Sequence, residues 1–512
     1  MSQLAGGWTT SRPILALTQK TGRYWLIVAV VFAVARLATW GYPFDSDHWI
    51  FYYVGHDWIV NGGQLYVTAW DHKPPMIFLF NGVMSLFLGD NIVLHRVWLT
   101  AFAVLDTWLF YLVAKRLMPS LLSGVKSTVN VDTALKLTLL LYVFLRNLSQ
   151  FAANGNTTEN YGLIFLLGMI WAYLRFLDAK HWGWLVLAGF FCANLFWLKG
   201  NLILLGAILG VLILIQGWKH PARLVGQVMA FVAPIIAISA GWAAYFSAQG
   251  TFNDFVTASF TFSSKYASSA WAGKVSVNAL LVLTTFALLV PVLAFFAVYL
   301  RDIRAQWRNV AYQLVGLSFM VGLALITAVG SFYPYYLLII MPFMVIIVMY
   351  GLFRIDSLST LLRRSLVALL ALTLVANFAI SLRQLLNNYA GVTKVEAAEY
   401  TQAANYVKAH TTADQRVFAY DYGATFYELA QRQSAARFIS ASHLLLDYRD
   451  KYGFGFDDEF ISQMEKTQAP YIVLNDDSRD LYFTNTPVAT YLTAHYKPVE
   501  KFGAIEVLQR VG

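Results

Sequence analysis

The sequence predicts an α-helical protein that crosses a membrane many times and ends in a small α/β domain. Of its 512 residues, 58% are hydrophobic and only 13% are charged, whereas soluble domains carry about 25% charged residues. Long apolar runs recur along the chain, and a spanning helix needs roughly 20 mostly apolar residues. On this basis we predict eleven spans: 23–40, 92–114, 133–150, 159–177, 181–198, 200–217, 224–246, 277–300, 309–330, 333–353 and 365–386.

Lysine and arginine concentrate in alternate connecting loops, and this pattern orients the spans. They are frequent before the first span and after the second, fourth, sixth, eighth and tenth spans. Because cytoplasmic loops carry the excess of these residues, we expect a cytoplasmic N-terminus, and an odd number of spans then places the C-terminus outside. The net charge of +9 follows from this topology, so we predict a lipid bilayer as partner and no nucleic acid.

The first outer loop, residues 41–91, contains two short apolar segments. HWIFYYVGHDWIV is crowded with aromatic rings, which favour the lipid headgroup layer. PPMIFLFNGVMSLFLG is too short to span, and its Pro74–Pro75 pair suits the start of a helix. We therefore expect two helices lying in the outer interface, with NGGQLYVTAWDHK between them at the membrane surface.

The composition changes near residue 390. KVEAAEYTQAANYVKAH, GATFYELAQRQ and DEFISQMEKTQ are typical of helices, and they alternate with the predicted strands RVFAY, ARFISA and PYIVLND. KPVEKFGAIEVLQR is typical of a hairpin. This alternation predicts a small α/β domain, so the chain divides into a membrane domain, 1–388, and an extracytoplasmic domain, 389–512.

Ionisable side chains converge at the outer surface of this predicted topology. A carboxylate there can take a proton from a hydroxyl nucleophile, and fixed cations can stabilise charge that develops on a phosphate. These are the parts of a transferase whose donor is a lipid-linked phosphate. The residues are Asp45, Asp47, His48, Asp57, His56, Asp71, His72 and Lys73 in the first outer loop, Arg96 and Glu159 near helix ends, Lys199 in a tight turn, and Lys265, Tyr266 and Tyr335 in later outer loops.

The order of these motifs resembles that of the GT-C glycosyltransferases, specifically the bacterial relatives of protein O-mannosyltransferases and lipid A aminoarabinose transferases. The matching elements are Asp47, HWIFYYVGHDWIV, GGQLY, HKPP, Arg96, TENYGLIFLLGMIWAY, WLKGNLILL, FNDFVTASFTFSSKY, YPYYLLIIMP and the α/β tail. The resemblance implies a GT-C fold in the bacterial cytoplasmic membrane. It also implies transfer of a hexosyl or pentosyl group from a polyprenyl-phosphate donor, on the outer face, to an envelope lipid, glycan or protein.

Carried over position by position, the resemblance implies that Asp47 is the general base and that Lys73, Lys199 and Arg96 contact the donor phosphate. The implied reaction is a single displacement with inversion. Asp45 is a candidate second carboxylate. Candidate substrate-binding residues are His48, Asp71, His72, Glu159, Lys265, Tyr266 and Tyr335. The chain departs from the family pattern at His48, where relatives carry glutamate, at Tyr335, where many carry histidine, and at His72, which is acidic in the aminoarabinose enzymes.

Simpler interpretations of these residues stay open. Asp47 is a good helix N-cap residue, and Lys73 and Arg96 could be snorkelling anchors. The histidines and aspartates of the first loop lack the regular spacing of a zinc motif. We predict no metal ligand set and no required cofactor, with a bound divalent cation as the alternative. Asp106 lies in the middle of a span, and we expect it to hydrogen-bond between helices.

Two other functions stay open at this stage. The first is a transporter or flippase of a lipid-linked or small solute, which would need ionisable residues along a path through the membrane. The second is a polysaccharide polymerase or ligase, which would use a diphosphate-linked donor on the same face.

Overall fold

The computed structural model describes residues 21–41, 44, 46–123, 130–265, 283, 285–302, 306–328, 333–390, 394–420, 423–439, 455–475 and 486–511. Within these residues the chain is mostly helical up to Tyr389 and mixed afterwards. The helices of the first part are α1 (Thr21–Gly41), α2 (Ser46–Ile59), α3 (Pro75–Leu88), α4 (Ile92–Leu121), α5 (Val131–Asn147), α6 (Ser149–Ala152), α7 (Thr158–Ala179), α8 (Gly183–Leu198), α9 (Ile203–Gly217), α10 (Pro221–Ala248), α11 (Phe252–Val256), α12 (Leu289–Arg301), α13 (Val310–Ala328), α14 (Met341–Phe353) and α15 (Thr360–Tyr389).

Among the described residues, seven helices are long and apolar enough to cross a membrane. They are α1, α4, α7, α9 with the 3-10 turn before it, α10, α13 and α15. Each coincides with a predicted span, and the prediction of a polytopic helical membrane protein is confirmed.

The other four predicted spans correspond to the shorter helices α5, α8, α12 and α14. The predicted span 333–353 is interrupted, because Pro334–Ile339 forms a 3-10 helix and α14 begins only at Met341. Proline lacks an N–H group and suits the first turn of a helix, so Pro334 and Pro342 mark two helix starts. The number of crossings therefore stays a prediction.

The two helices predicted in the first outer loop are present as α2 and α3, each 14 residues long. They cross at Gly55 and Gly82, where a Cβ on either glycine would overlap the backbone of the other helix. This close approach packs the two helices as a hairpin against the end of the bundle. Beneath them, α7 is buried along most of its length, so its first turn, which contains Glu159, lies against the protein core.

The C-terminal part is a small α/β domain, as predicted. Its described elements are α16 (Lys394–Ala409), β1 (Phe418–Ala419), α17 (Gly423–Ala430), α18 (Asp457–Thr467), β2 (Tyr471–Asn475), α19 (Pro487–His495), β3 (Tyr496–Phe502) and β4 (Ile505–Arg510). Among the described residues, these four strands form one sheet of order β1-β2-β4-β3, in which β1 and β2 are parallel and the other pairs are antiparallel. Helix α19 was not predicted.

The predicted strand ARFISA is wrong over its described residues, 436–439, which form no strand. The residues just before it make one parallel bridge, Ser434 with Val417, in which Ala435 N donates to Val417 O at 2.8 Å. The first outer loop provides further partners for this backbone. Tyr53 Oη accepts from Ser434 N at 2.8 Å, and Arg437 O accepts from Trp70 N at 2.8 Å. Buried backbone groups must find partners, and these partners come from a loop more than 360 positions earlier.

Candidate active site

Asp47 lies in the first turn of α2, where the positive end of the helix dipole favours a carboxylate. Burial raises the pKa of its carboxyl group. The charge of Lys73 lowers that pKa, Glu159 raises it and Lys199 lowers it. Thus charged groups from the first loop, the start of α7 and the end of α8 act on one carboxylate.

Lys199 and Glu159 form an ion pair beside Asp47. Lys199 Nζ donates to Glu159 Oε1, and Thr158 Oγ1 donates to Glu159 Oε2 at 3.0 Å. The Lys199 ammonium also lies 4.2 Å from the ring centre of Tyr336. The lysine side chain is 22% exposed and the glutamate 3%, so Lys199 is the member of the pair that a ligand can reach.

A cleft opens at this ion pair and continues along apolar side chains. It has a polar end at Glu159 and Lys199, whereas most of its remaining wall is aliphatic. The lining residues are Glu159, Lys199, Asn201, Leu202, Gly322, Leu325, Ile326, Tyr336 and Ile339. This arrangement suits a ligand with a charged head and an apolar tail.

Asp71, His72 and Lys73 form a compact hydrogen-bonded group at the end of the first loop. Lys73 N donates to Asp71 Oδ1 at 3.0 Å, and Lys73 Nζ lies 2.8 Å from His72 Nε2. Because an ammonium can only donate, His72 Nε2 accepts, which leaves the ring proton of neutral His72 on Nδ1. That nitrogen is 3.8 Å from Asp71 Oδ2. Burial raises the pKa of Asp71 to about 6, while Lys73 lowers it.

Tyr335 completes this side of the site. Its hydroxyl group is under the electrostatic influence of both Asp47 and Glu159, and its ring lies 5.0 Å from that of Tyr336. The structure thus brings Tyr335 together with the predicted residues Asp47, Glu159, Lys73 and Lys199. Tyr336 was not singled out from the sequence, although it lies in YPYYLLIIMP, one of the elements that carry the resemblance.

Two predicted residues have mainly packing contacts. Arg96 Nη1 donates to the carbonyls of Thr39 and Asn154, both at 3.1 Å, and its guanidinium lies 3.7 Å from the ring centre of Phe44. His48 stacks on the same Phe44 ring, with the two ring centres 3.5 Å apart. The His48 Nδ1 atom lies 2.8 Å from Asn156 Nδ2.

These contacts give His48 and Arg96 a different environment from that of Asp47. Burial lowers the pKa of His48 well below its usual value, and His95 and Arg96 lower it further, so its ring is neutral. Two backbone carbonyls already occupy Nη1 of Arg96, and its phosphate contact stays a prediction.

The remaining predicted residues are peripheral or undescribed. Lys265 is exposed at the end of the described part of the fourth outer loop. Asp45 and Tyr266 lie outside the described residues. In the part of the chain that the structure describes, no group of three or more His, Cys, Asp or Glu side chains could hold a metal ion.

Arg437 of the C-terminal domain contacts the first outer loop close to the site, and nothing in its sequence context indicated this. Its Nη1 donates to Tyr66 O at 3.0 Å and to Asp254 Oδ1 at 2.9 Å. Its Nη2 donates to Glu459 Oε2 at 2.8 Å. Arg437 therefore fastens the first loop to the C-terminal domain, and Tyr66 Oη in turn donates to Lys73 O at 2.8 Å.

This architecture, a helical membrane bundle with two short helices in the first loop and a C-terminal α/β domain, is that of the GT-C fold. The chain is similar to the crystal structure of ArnT from Cupriavidus metallidurans bound to undecaprenyl phosphate, with a TM-score of 0.57 and 14% sequence identity over 96% of this chain and 98% of that chain. For ArnT in the apo state the TM-score is 0.56, with the same identity and coverage. The resemblance found in the sequence is confirmed at the level of the fold.

The C-terminal domain has a separate similarity. Residues 397–506 match a family described as the competence-induced protein Ccs4 C-terminal domain. The chain has no match among curated proteins.

Proposed function

We propose that this chain is a glycosyltransferase that moves a sugar from a polyprenyl-phosphate donor to a hydroxyl group of an envelope acceptor. The reaction takes place on the outer face of the bacterial cytoplasmic membrane, with the N-terminus cytoplasmic and the C-terminal domain outside. The observation that carries the proposal is the convergence of Asp47 with Lys73, Glu159 and Lys199. A likeness in fold to ArnT, whose crystal structure holds undecaprenyl phosphate, supports it.

The cleft at Lys199 suits the donor lipid. The phosphate would meet the exposed ammonium of Lys199, and the prenyl chain would follow the aliphatic wall formed by Leu202, Leu325 and Ile326. Lys73 would approach the phosphate from the first loop. Both ammonium groups contribute most when the glycosidic bond breaks, because negative charge on the leaving phosphate is then greatest.

Asp47 would act as the general base. It takes the proton of the acceptor hydroxyl, whose oxygen forms a bond to the anomeric carbon on the face opposite the phosphate. The bond from that carbon to the phosphate oxygen breaks, and polyprenyl phosphate leaves with the electron pair. A raised pKa makes Asp47 a stronger base than an exposed aspartate. Phosphate is a good leaving group, so the step needs no separate general acid.

A transporter is less well supported by the same contacts. The mid-membrane carboxylate Asp106 is 0% exposed and bound by Arg146, which is 1% exposed. A fully buried ion pair has no free group with which to bind a passing solute, whereas Lys199 beside Asp47 is partly exposed. A polymerase or ligase with a diphosphate-linked donor differs from the proposal in its donor, so a donor comparison separates them.

The decisive experiment is a transfer assay with the purified chain in lipid nanodiscs. Undecaprenyl-monophosphate sugars are compared with diphosphate-linked ones, and mass spectrometry of envelope glycolipids and glycans from cells with and without the chain identifies the product. We expect transfer from monophosphate donors only. Asp47→Asn should lower the rate by about 10²- to 10⁴-fold without changing the melting temperature.

Asp132→Asn is the matched control, because Asp132 is an exposed carboxylate in the first turn of α5 that pairs only with its neighbour Lys136 among the described residues. Its transfer rate should equal that of the wild type. Full activity of Asp47→Asn would refute the assignment of the base, and translocation of a solute without a glycosidic product would refute the transferase.

A further inference from the structure

A second cleft lies where the glycine turn of the first loop meets the end of α10. Its volume is about 280 Å³, close to the roughly 300 Å³ at the lower end of small-molecule sites. The lining residues are Trp58, Gly62, Gly63, Gln64, Leu65, Tyr245, Phe246, Gln249 and Thr251. None of these side chains carries a formal charge, in contrast to the group around Asp47.

The Gly-Gly turn shapes this cleft. Gly62 has a φ of +74°, a conformation that suits glycine. At Gly63 a Cβ would overlap the Asp57 carboxylate and the Thr68 hydroxyl, which are hydrogen-bonded to each other. Only glycine lets the turn fold back this closely on α2. The turn consequently presents bare peptide backbone to the cleft.

The walls of the cleft combine aromatic rings with glutamine side chains whose amide groups are available for hydrogen bonding. Trp58 Nε1 donates to Tyr245 Oη at 2.7 Å, and the ring centres of the two residues are 6.0 Å apart. Trp242 packs next to Trp58, with the two ring centres 6.3 Å apart. Gln64 and Gln249 are exposed, and neither amide side chain has a hydrogen-bond partner among the residues that the structure describes.

We propose that this cleft binds a neutral carbohydrate unit. An amide group both donates and accepts hydrogen bonds, which matches sugar hydroxyls, and a tryptophan or tyrosine face packs against the C–H face of a pyranose ring. An uncharged lining gives no partner to a phosphate or a carboxylate. Aromatic rings can also bind a quaternary ammonium, but the two glutamines and the glycine backbone match hydroxyl groups better.

The cleft is connected to the candidate active site through Tyr66. The ring of Tyr66 lies 5.7 Å from that of Phe246 in the cleft wall, and its hydroxyl donates to Lys73 O. The bound sugar is therefore a non-reacting unit of the acceptor, which makes the acceptor a glycan or glycolipid. This last step rests on the proposed function, whereas binding of a neutral sugar does not.

Saturation-transfer NMR on the full chain in nanodiscs tests the site. The probes are the methyl glycosides of glucose, galactose, mannose and N-acetylglucosamine, with glucuronate and phosphocholine for comparison. We expect at least one neutral glycoside to bind. Trp58→Ala and Gln249→Ala should each weaken that binding at least 10-fold. Because Gln249 is exposed, we expect Gln249→Ala to fold normally, so this variant tests the site even if Trp58→Ala does not fold.

Trp40→Ala is the matched control, because Trp40 is 41% exposed and donates one indole hydrogen bond, to Thr100 Oγ1 at 2.9 Å. It should bind as the wild type does. The proposal is overturned if no neutral glycoside binds, if both cleft variants bind normally, or if phosphocholine alone is bound. Asp47→Asn should retain glycoside binding, so loss of transfer and loss of this site are distinguishable.

Discussion

Two carboxylate–cation pairs in this molecule have similar chemistry and opposite surroundings. Arg146 holds Asp106 with Nε at 2.9 Å from Oδ2 and Nη2 at 2.6 Å from the same oxygen, and Tyr142 Oη donates to Oδ1 at 3.0 Å. Both charged side chains are buried. Lys199 meets Glu159 through one nitrogen and stays 22% exposed.

The two pairs differ in whether a charged group is still available to bind a ligand. A guanidinium presents a rigid fork that matches a carboxylate, whereas an ammonium is a point charge with rotatable donors. Asp106 has both oxygens engaged by residues of α5, so the pair joins α4 and α5 and serves packing. Lys199 can exchange or share its partner, which is what a phosphate site requires. Residue type, exposure and hydrogen bonding together separate the pair that serves packing from the pair that we propose binds the donor.

The largest effect should come from breaking the closed pair. Asp106→Asn leaves the Arg146 charge buried without compensation, which costs about 3–5 kcal/mol of stability. We expect a large fall in melting temperature and in the yield of folded protein, measured in the same detergent as the wild type. A variant of normal stability that has lost sugar transfer would instead place Asp106 in the mechanism.

Breaking the open pair should affect activity more than stability. Lys199→Ala removes a cation from the phosphate, and we expect transfer to fall about 10²-fold, with a raised KM for the lipid donor. Glu159 is buried and loses its cation, but it keeps the hydrogen bond from Thr158 Oγ1 and water can enter at the partly exposed position of Lys199. The melting temperature should therefore fall less than that of Asp106→Asn. Lys199→Arg, which keeps the charge, is the control and should recover part of the rate. A stability loss equal to that of Asp106→Asn would contradict the distinction.

The smallest effect concerns Glu428 of α17, a mostly buried carboxyl group without a cation partner among the described residues. Burial raises the pKa of Glu428 to about 8, and Asp90 adds to this shift. Its pKa in the folded protein exceeds the unfolded value of roughly 4.3. The stability that it contributes is therefore complete below that pH and is lost as pH rises toward 8.

Melting temperatures measured at pH 5, 6.5 and 8 test this prediction. The wild type should lose stability over this range relative to Glu428→Gln, which stays neutral. Glu465→Gln, at an exposed position of α18, is the control and should follow the wild type. Parallel curves for all three proteins would show that Glu428 is not desolvated.

The apolar runs predicted a polytopic helical protein, because lipid contact constrains every residue of a span and is visible in composition. The aromatic first loop predicted two short helices, whereas the GT-C fold was implied by the resemblance in motif order. The motif order also indicated Asp47, Lys73 and Lys199, and the structure brings their charges together. The partners of individual cations were not predictable. Arg96 and Lys199 both lie near helix ends. Arg96 donates hydrogen bonds to the backbone carbonyls of Thr39 and Asn154, whereas Lys199 pairs with the acidic side chain of Glu159.

Long-range pairing also decides the outcome at ARFISA and at Asp106. ARFISA has the composition of a strand, but backbone groups of Ser434, just before it, and of Arg437, within it, bind Tyr53 and Trp70. Asp106 forms the expected hydrogen bonds between helices, although its partners were not predicted. The association of Asp106 with Arg146 joins positions 40 residues apart. A local pattern can indicate that a charge needs a partner inside a membrane, but the choice of partner depends on how the helices pack.

The bonds from Arg437 to the first loop have a consequence for the order of synthesis. Arg437 and Tyr66 are 371 positions apart, so the ribosome produces the loop that contains Lys73 long before the residue that fastens it. A nascent chain released before Arg437 contains Asp47, Lys73, Glu159 and Lys199, yet its first loop lacks that attachment. Translation of the C-terminal domain must therefore precede the attachment of the first loop by Arg437.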